Sequence, residues 1–152
     1  MSVIKIFESI RVILAFLGFY FAYSSAPTAA LFWLVALMVI PLSGLTAIES
    51  LLFGKRSAAS KQRETNSNYQ IQSALNNLAT AVTAVIILIM HWGRQAQLTI
   101  VLCALLFFFF SSLKHAVEYF KDKKNLIHLQ RFALSMALIL ASAPIMWRAG
   151  LT

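Results

Sequence analysis

Acidic side chains are scarce in this sequence. Five Asp and Glu residues stand against thirteen Lys and Arg residues, and the formal net charge is +8. Charged residues make up only 12% of the chain, about half of their share in a soluble domain, whereas 60% of the residues are hydrophobic. This composition excludes an ordinary water-soluble domain and indicates a chain that folds in a lipid bilayer. The basic excess is then expected on the loops beside the membrane, and nucleic acid is not predicted as a partner.

Cysteine is nearly absent as well. The single cysteine, Cys103, lies in an apolar run, which excludes an intrachain disulfide and a paired-cysteine metal or redox site. The sequence also lacks a Gly-x-Ser-x-Gly motif, a His-Glu-x-x-His motif and the glycines that precede Lys in a phosphate-binding loop. Catalytic residues and cofactors are therefore unknown from the sequence. These absences are consistent with a bacterial cytoplasmic (inner) membrane, which we take as the predicted location.

Long apolar runs, in contrast, fill most of the chain. A helix needs about 20 apolar residues to cross ~30 Å of hydrocarbon, and five runs approach this length. The sequence thus predicts an all-α fold, a polytopic integral membrane bundle of five transmembrane helices that forms one domain over residues 1–152. The predicted helices cover about 6–25, 28–53, 69–91, 95–119 and 126–147, with a polar cytoplasmic loop at 54–68.

The first apolar run has the pattern of a signal peptide. Lys5 and Arg11 precede it, and small residues at 24–26 follow it. Pro27 comes directly after these small residues and is unfavourable for cleavage, so we interpret the run as a first transmembrane helix. The short turn predicts that the first two helices form an antiparallel hairpin.

The second predicted helix contains two residues that disturb a regular helix. Pro41 removes a backbone donor and predicts a kink. Gly44 follows within one turn and predicts close packing against another helix.

The distribution of basic residues predicts the orientation. With five crossings, all Lys and Arg residues except Arg94 and Arg148 fall at or near the side of the N-terminus. The positive-inside rule then places the N-terminus in the cytoplasm and the C-terminus outside. The basic residues are expected to contact anionic headgroups at the cytoplasmic face.

A polar stripe marks the third predicted helix. Tyr69, Gln72, Asn76, Thr80 and Thr83 lie within an arc of roughly 80° on that helix. Lipid disfavours such a stripe, so we expect it to face protein or trapped water. Because the stripe ends at Thr83, it suits one wall of a blind pocket better than the lining of a pore.

The predicted topology brings other polar residues to the same depth on the cytoplasmic side. We expect one cytoplasm-facing pocket enclosed by the second, third, fourth and fifth helices, with the following candidate residues: Glu49, Gln72, Asn76, Thr80, Ser111, His115, Glu118, His128 and Arg131. The alternative is that the charged groups extend to the headgroups while the amides hold helices together. No metal is predicted, because the His115-x-x-Glu118 pair has no second copy of the kind found in metal-binding bundles.

Three functions remain open at this point. The first is a transporter- or channel-like protein for a small solute or ion. The second is a membrane enzyme acting on a lipid-soluble substrate, with His115 and Glu118 as acid and base or as metal ligands. The third is a non-catalytic subunit of a larger membrane complex. The partner hypotheses are a homo-oligomer and membership of such a complex.

Overall fold

The chain is helical throughout the part that the structure describes. The computed structural model describes residues 3–60, 67–121 and 126–151, and no strand occurs among them. The elements are α1 (Val3–Ser24), α2 (Pro27–Leu34), a π-helical segment (Val35–Val39), α3 (Ile40–Ser60), α4 (Ser67–Ile89), α5 (Arg94–Lys121) and α6 (Leu126–Leu151). The predicted all-α fold is confirmed.

The membrane character of the helices is also confirmed. Four helical segments are long and apolar enough to cross a membrane: Pro27–Gly54, Gln70–Ile89, Arg94–Lys114 and Leu129–Gly150. Large apolar side chains cover the outer faces, and Phe16 and Leu140 are more than two-thirds exposed. Lipid is the natural solvent for such faces. α1 is not among the four segments, so the fifth crossing and the side of each terminus stay predictions.

Consecutive long helices run antiparallel, which gives the bundle two distinct ends. The ring of Phe7 lies 6.4 Å from that of Phe53, near the far end of the hairpin, while Phe21 lies 4.9 Å from Trp33 near its turn. The turns at 25–26 and 90–93 share one end, which we call the turn end. The end where α3 and α5 finish and α4 and α6 begin is the loop end. The predicted hairpin of the first two helices is therefore present.

Pro41 breaks the second predicted helix in a specific way. Proline has no N–H, and its ring collides with the carbonyl four residues earlier, which here belongs to Leu37. The chain accommodates this with the π-helical segment directly before Pro41, in which the Ile40 N–H donates to the carbonyl of Val35. The disturbance at Pro41 is thus one wide turn that joins α2 to α3, and a bend of the helix axis at this point stays a prediction.

The helix α1 docks on this wide turn through Gly18. A Cβ atom at Gly18 would lie 3.2 Å from the Cβ of Leu37 and 3.3 Å from its backbone carbonyl carbon. Only a residue without a side chain allows the two backbones to approach so closely. Gly18 therefore sets the distance between α1 and the π-helical segment.

Small side chains also form the contact between α3 and α4. Ala74, Asn77, Ala81 and Ala84 make up the buried face of α4. A Cβ atom at Gly44 would lie 3.5 Å from the Cβ of Ala81, an ordinary contact distance. Gly44 thus faces α4, as predicted, but the approach of the two helices at this point would also accommodate an alanine.

The turn end of the bundle is densely packed. The hydroxyl of Tyr23 donates to the carbonyl of Ala141 at 2.8 Å, which connects α1 to α6. Met38 of the π-helical segment and Ser142 are both fully buried, and their Sδ and Oγ atoms are 3.9 Å apart. The apolar core, which includes Leu34, Ile87 and other residues of this half, is continuous with these contacts.

The polar loop is shorter than the sequence predicts. Residues 54–60 continue α3, whereas the sequence predicts a loop over 54–68; residues 61–66 lie outside the described part of the chain. The backbone leaves helical geometry only at Phe53, where φ is −124° and ψ is 19°. The Lys, Arg, Ala and Ser residues after it favour or tolerate helix. A polar composition therefore marks the end of the apolar segment and not the end of the helix.

The close approach at Gly18 generates a stability prediction. We expect Gly18→Leu to lower the free energy of unfolding by about 1–3 kcal/mol, because the added side chain forces α1 away from the backbone of Leu37. The measurement is the unfolding midpoint in detergent. Ser9→Leu, on the exposed side of α1, is the matched control; an equal effect of both substitutions would contradict the account.

Candidate functional site

An ion pair lies inside the bundle between α1 and α3. Arg11 Nη2 donates to Glu49 Oε2 at 2.5 Å, and Arg11 Nη1 donates to Thr46 Oγ1 at 2.6 Å. The Glu49 side chain is 1% exposed and that of Arg11 is 11% exposed. A charge buried in an apolar region is stable only when an opposite charge and hydrogen bonds compensate for its lost hydration. Arg11, Thr46 and Glu49 therefore form one unit, which we call the ion-pair cluster.

Backbone carbonyls complete the ion-pair cluster. Arg11 Nε donates to the carbonyl of Phe7 at 3.3 Å, one turn earlier in α1. The Thr46 hydroxyl donates to the carbonyl of Leu42 at 2.5 Å, one turn earlier in α3. The guanidinium group is thus held from both helices, and the cluster fixes the position of α1 on α3.

Sequence reasoning found Glu49 but missed its partners. From the sequence, Arg11 is expected at the cytoplasmic start of the first helix, where it could pair with Glu8 three residues earlier. The available signal was that Arg11 and Glu49 have opposite charges and lie on two helices joined by a very short turn. Such a hairpin brings the start of α1 beside the end of α3, where a long arginine side chain reaches a glutamate.

The polar stripe of α4 lies beside, not on, the buried face of that helix. Gln72, Asn76 and Thr83 are exposed and Thr80 is half-buried, with its hydroxyl donating to the carbonyl of Asn76 at 3.0 Å. Asn77 is the buried amide, and its Nδ2 donates within the helix to the carbonyl of Ser73. The stripe is therefore not the face of α4 that is buried against the protein.

The register of α4 shows which neighbour the stripe faces. Asn76, Thr80, Thr83 and Ile87 are spaced by four, three and four residues, so they share one helical face. Ile87 is 4% exposed and belongs to the same apolar core as Val101 of α5. This face of α4 is therefore apolar and buried at the turn end, at Ile87. Closer to the loop end, the same face is polar and exposed.

The helix α5 repeats this pattern. Ala104 is buried in the core, and Ser111, seven residues later on the same face, is exposed. Ser112 is buried, with its hydroxyl donating to the carbonyl of Phe109 at 2.7 Å. We infer that α4 and α5 diverge toward the loop end and leave an opening between them, which we call the loop-end cleft.

The contacts between helices agree with this divergence. α3 packs mainly on α1 and α4, whereas α5 and α6 pack on each other and join the rest mainly through α2, the π-helical segment and α4, with a smaller contact between α6 and α1. The α2 helix and the π-helical segment belong to the half of the bundle nearer the turn end. The pair α5–α6 therefore meets the group α1–α3–α4 mainly through that half.

The structure places the predicted pocket residues in different surroundings. Glu49 belongs to the ion-pair cluster, Gln72, Asn76 and Ser111 are exposed, and Thr80 and Arg131 are half-buried. We infer that Asn76, Thr80 and Ser111 border the loop-end cleft, and their sharing of one pocket with the other candidates stays a prediction. The side chains of His115, Glu118 and His128 lie outside the described part of the structure, so their place in a pocket stays a prediction. Within the described residues, no three His, Cys, Asp or Glu side chains are grouped as metal ligands.

Comparisons with protein-family models, with curated proteins and with solved structures found no match for this chain. Function is therefore argued from the ion-pair cluster and the loop-end cleft.

The ion-pair cluster predicts strong coupling between two substitutions. Arg11→Met or Glu49→Leu alone leaves one buried charge without its main partner and is expected to reduce stability by about 3–5 kcal/mol. The double variant leaves no such charge and is expected to regain most of this loss. Unfolding midpoints of the four proteins in detergent measure the coupling.

The control for this cycle is Glu8→Gln, which removes an acidic charge from an exposed position of α1. It is expected to change the midpoint little. Additive effects of Arg11→Met and Glu49→Leu would show that the two side chains do not stabilise each other.

Proposed function

We propose that this chain is a small membrane transporter that admits a solute or ion into the loop-end cleft. The observation that carries the proposal is the shared face of Asn76, Thr80, Thr83 and Ile87, polar and accessible at one end and packed at the other. Polar groups within a membrane span are expected to face protein or water rather than lipid. A cleft of this form resembles one state of an alternating-access carrier, open to one side and closed to the other.

The proposed orientation follows from the charges. Helices α3 and α5 end, and α4 and α6 begin, at the loop end, where most basic residues lie. By the positive-inside rule this end is cytoplasmic, with five crossings, the N-terminus inside and the C-terminus outside. We place the chain in a bacterial cytoplasmic membrane, which is consistent with its single cysteine. The loop-end cleft then opens to the cytoplasm.

The two groups of helices supply a possible motion. The ion-pair cluster ties α1 to α3, and the small residues at Gly44 and Ala81 tie α3 to α4. These three helices are proposed to move as one body against α5–α6. The π-helical segment is suited to be the pivot because it lies between the two groups. Pro41 also has no N–H, so a bend at this point breaks one backbone hydrogen bond fewer than elsewhere in the helix. Closure at the loop end and opening at the turn end would complete the transport cycle.

The enzyme alternative has one observation in its favour. His115 follows Ser111 by four residues on α5, so its backbone lies on the face that borders the cleft. A lipid-soluble substrate in the cleft would then meet His115, with Glu118 one turn away as its acid or base partner. In the transport account, by contrast, the chemistry of His115 is not required.

Transport is tested with purified protein in liposomes by recording currents on a solid-supported membrane. The solutes are alkali cations, ammonium, small organic cations, chloride, phosphate and amino acids. At least one is expected to give currents above those of protein-free liposomes. Asn76→Leu is expected to reduce that current about tenfold, the effect of losing ~1.4 kcal/mol of binding free energy. The control, Val82→Leu, lies on an exposed side of α4, ~120° around the helix from Asn76.

Two outcomes would contradict the transport proposal. One is the absence of a protein-dependent current for every solute in the panel. The other is an equal effect of Asn76→Leu and Val82→Leu, which would place solute binding outside the loop-end cleft. A current that survives His115→Ala but not Asn76→Leu would favour transport over the enzyme alternative.

A further inference from the structure

A second concave surface lies on the outside of the α5–α6 pair. It is a groove of about 570 Å³, lined only by apolar side chains: Leu98, Leu102, Leu105, Leu106, Phe109, Ile139, Ala143, Met146 and Trp147. It lies within two membrane-spanning segments and is separate from the ion-pair cluster. The volume is within the range of small-molecule sites, of about 300–1,000 Å³. We call it the α5–α6 groove.

The length of the groove matches one leaflet of a bilayer. Leu98 and Phe109 are eleven residues apart on α5, which is ~17 Å along the helix axis at 1.5 Å per residue. One leaflet contributes ~15 Å, half of the ~30 Å of hydrocarbon. The groove follows the helices and begins near the turn end, so a lipid tail of the leaflet at that end can occupy it along its length.

The mouth of the groove carries groups that suit a lipid headgroup. Arg94 precedes Leu98 by four residues and therefore lies on the groove side of α5. Trp147 lines the groove from α6 and is 70% exposed, as is common for tryptophan at the membrane interface. Arginine is a preferred residue for phosphate, which it contacts with two parallel N–H groups.

Gly150 of α6 lies next to Leu98 at this mouth. A Cβ atom there would lie 4.0 Å from Cδ2 of Leu98, an ordinary contact distance. A lipid headgroup is expected above Leu98, on the side of Arg94 and Trp147.

We propose that the α5–α6 groove binds one acyl chain of an anionic phospholipid, with the lipid phosphate beside Arg94. The apolar lining, the length of one leaflet and the cation at the mouth select this ligand over a free solute. The proposal does not depend on transport through the loop-end cleft, which lies between α4 and α5 at the other end of the bundle. It assigns the chain a lipid partner in the leaflet at the turn end.

The test compares phosphatidylglycerol with phosphatidylcholine of identical acyl chains. Full-length protein is purified in a neutral detergent, each lipid is titrated, and bound lipid is counted by native mass spectrometry. Wild-type protein is expected to bind phosphatidylglycerol about tenfold more tightly, as one charge-assisted contact provides. Arg94→Gln is expected to remove this preference. Arg148→Gln removes the same charge at the same end but ~140–160° around α6 from Ala143 and Met146, and it is expected to keep the preference.

A second pair of variants tests the groove itself. Ala143→Trp fills the groove and is expected to abolish tight binding of both lipids. Ala137→Trp places the same ring on an exposed part of α6 outside the groove lining, and binding is expected to persist. Unfolding midpoints without lipid show that each variant folds.

Three results would overturn the proposal. Equal affinity of wild-type protein for the two lipids would exclude recognition of the headgroup charge. Undiminished binding to a folded Ala143→Trp variant would place the lipid elsewhere. A wild-type dimer that Ala143→Trp converts to a monomer would assign the groove to a second copy of the chain.

Discussion

The ion pair between Arg11 and Glu49 is the contact on which the arrangement of the helices depends. Both charges are buried within the protein, so separation of α1 from α3 would leave each charge without its main partner. The ion pair therefore fixes α1 along α3, and Gly18 then meets the π-helical segment at the correct height. Two distant contacts of α1, one polar and one steric, determine the same position.

The remaining architecture follows from how the second predicted helix is divided. Pro41 prevents a continuous α-helix, and the π-helical segment absorbs the defect where α1, α5 and α6 all approach. α3 beyond this segment packs on α1 and α4, while α5 and α6 remain with α2 and the turn end. We infer that the bundle is consequently dense at one end and divided into two groups at the other, with the polar residues of α4 and α5 at the division. The apolar outer surface of α5–α6 is left to the lipid.

The sequence predicted the elements better than their partners. Apolar runs of membrane length predicted the helices, and Pro41 and Gly44 predicted a break and a close contact, because these effects are local. The pairing of Arg11 with Glu49 depends on the register of two helices, which a composition cannot show.

On α4, Asn76 and Asn77 are adjacent and equally polar, yet only Asn77 is buried, because small residues at 74, 81 and 84 select the face that packs on α3. Whether α1 crosses the membrane depends on which partners the charged side chains near its start have. One of them, Arg11, is paired with Glu49 and Thr46 of α3.

The central claim is that α4 and α5 enclose a water-accessible cleft at the loop end. It is tested most directly by single cysteines on α4 in a Cys103→Ala background, labelled with a membrane-impermeant maleimide from the cytoplasmic side. The account predicts fast labelling of Asn76→Cys and Thr80→Cys, and slow labelling of Leu75→Cys, which faces lipid, and of Ile87→Cys, which is packed in the core. Labelling of Asn76→Cys and Thr80→Cys no faster than that of Leu75→Cys would show that the stripe faces lipid or a packed interface, and it would contradict the cleft.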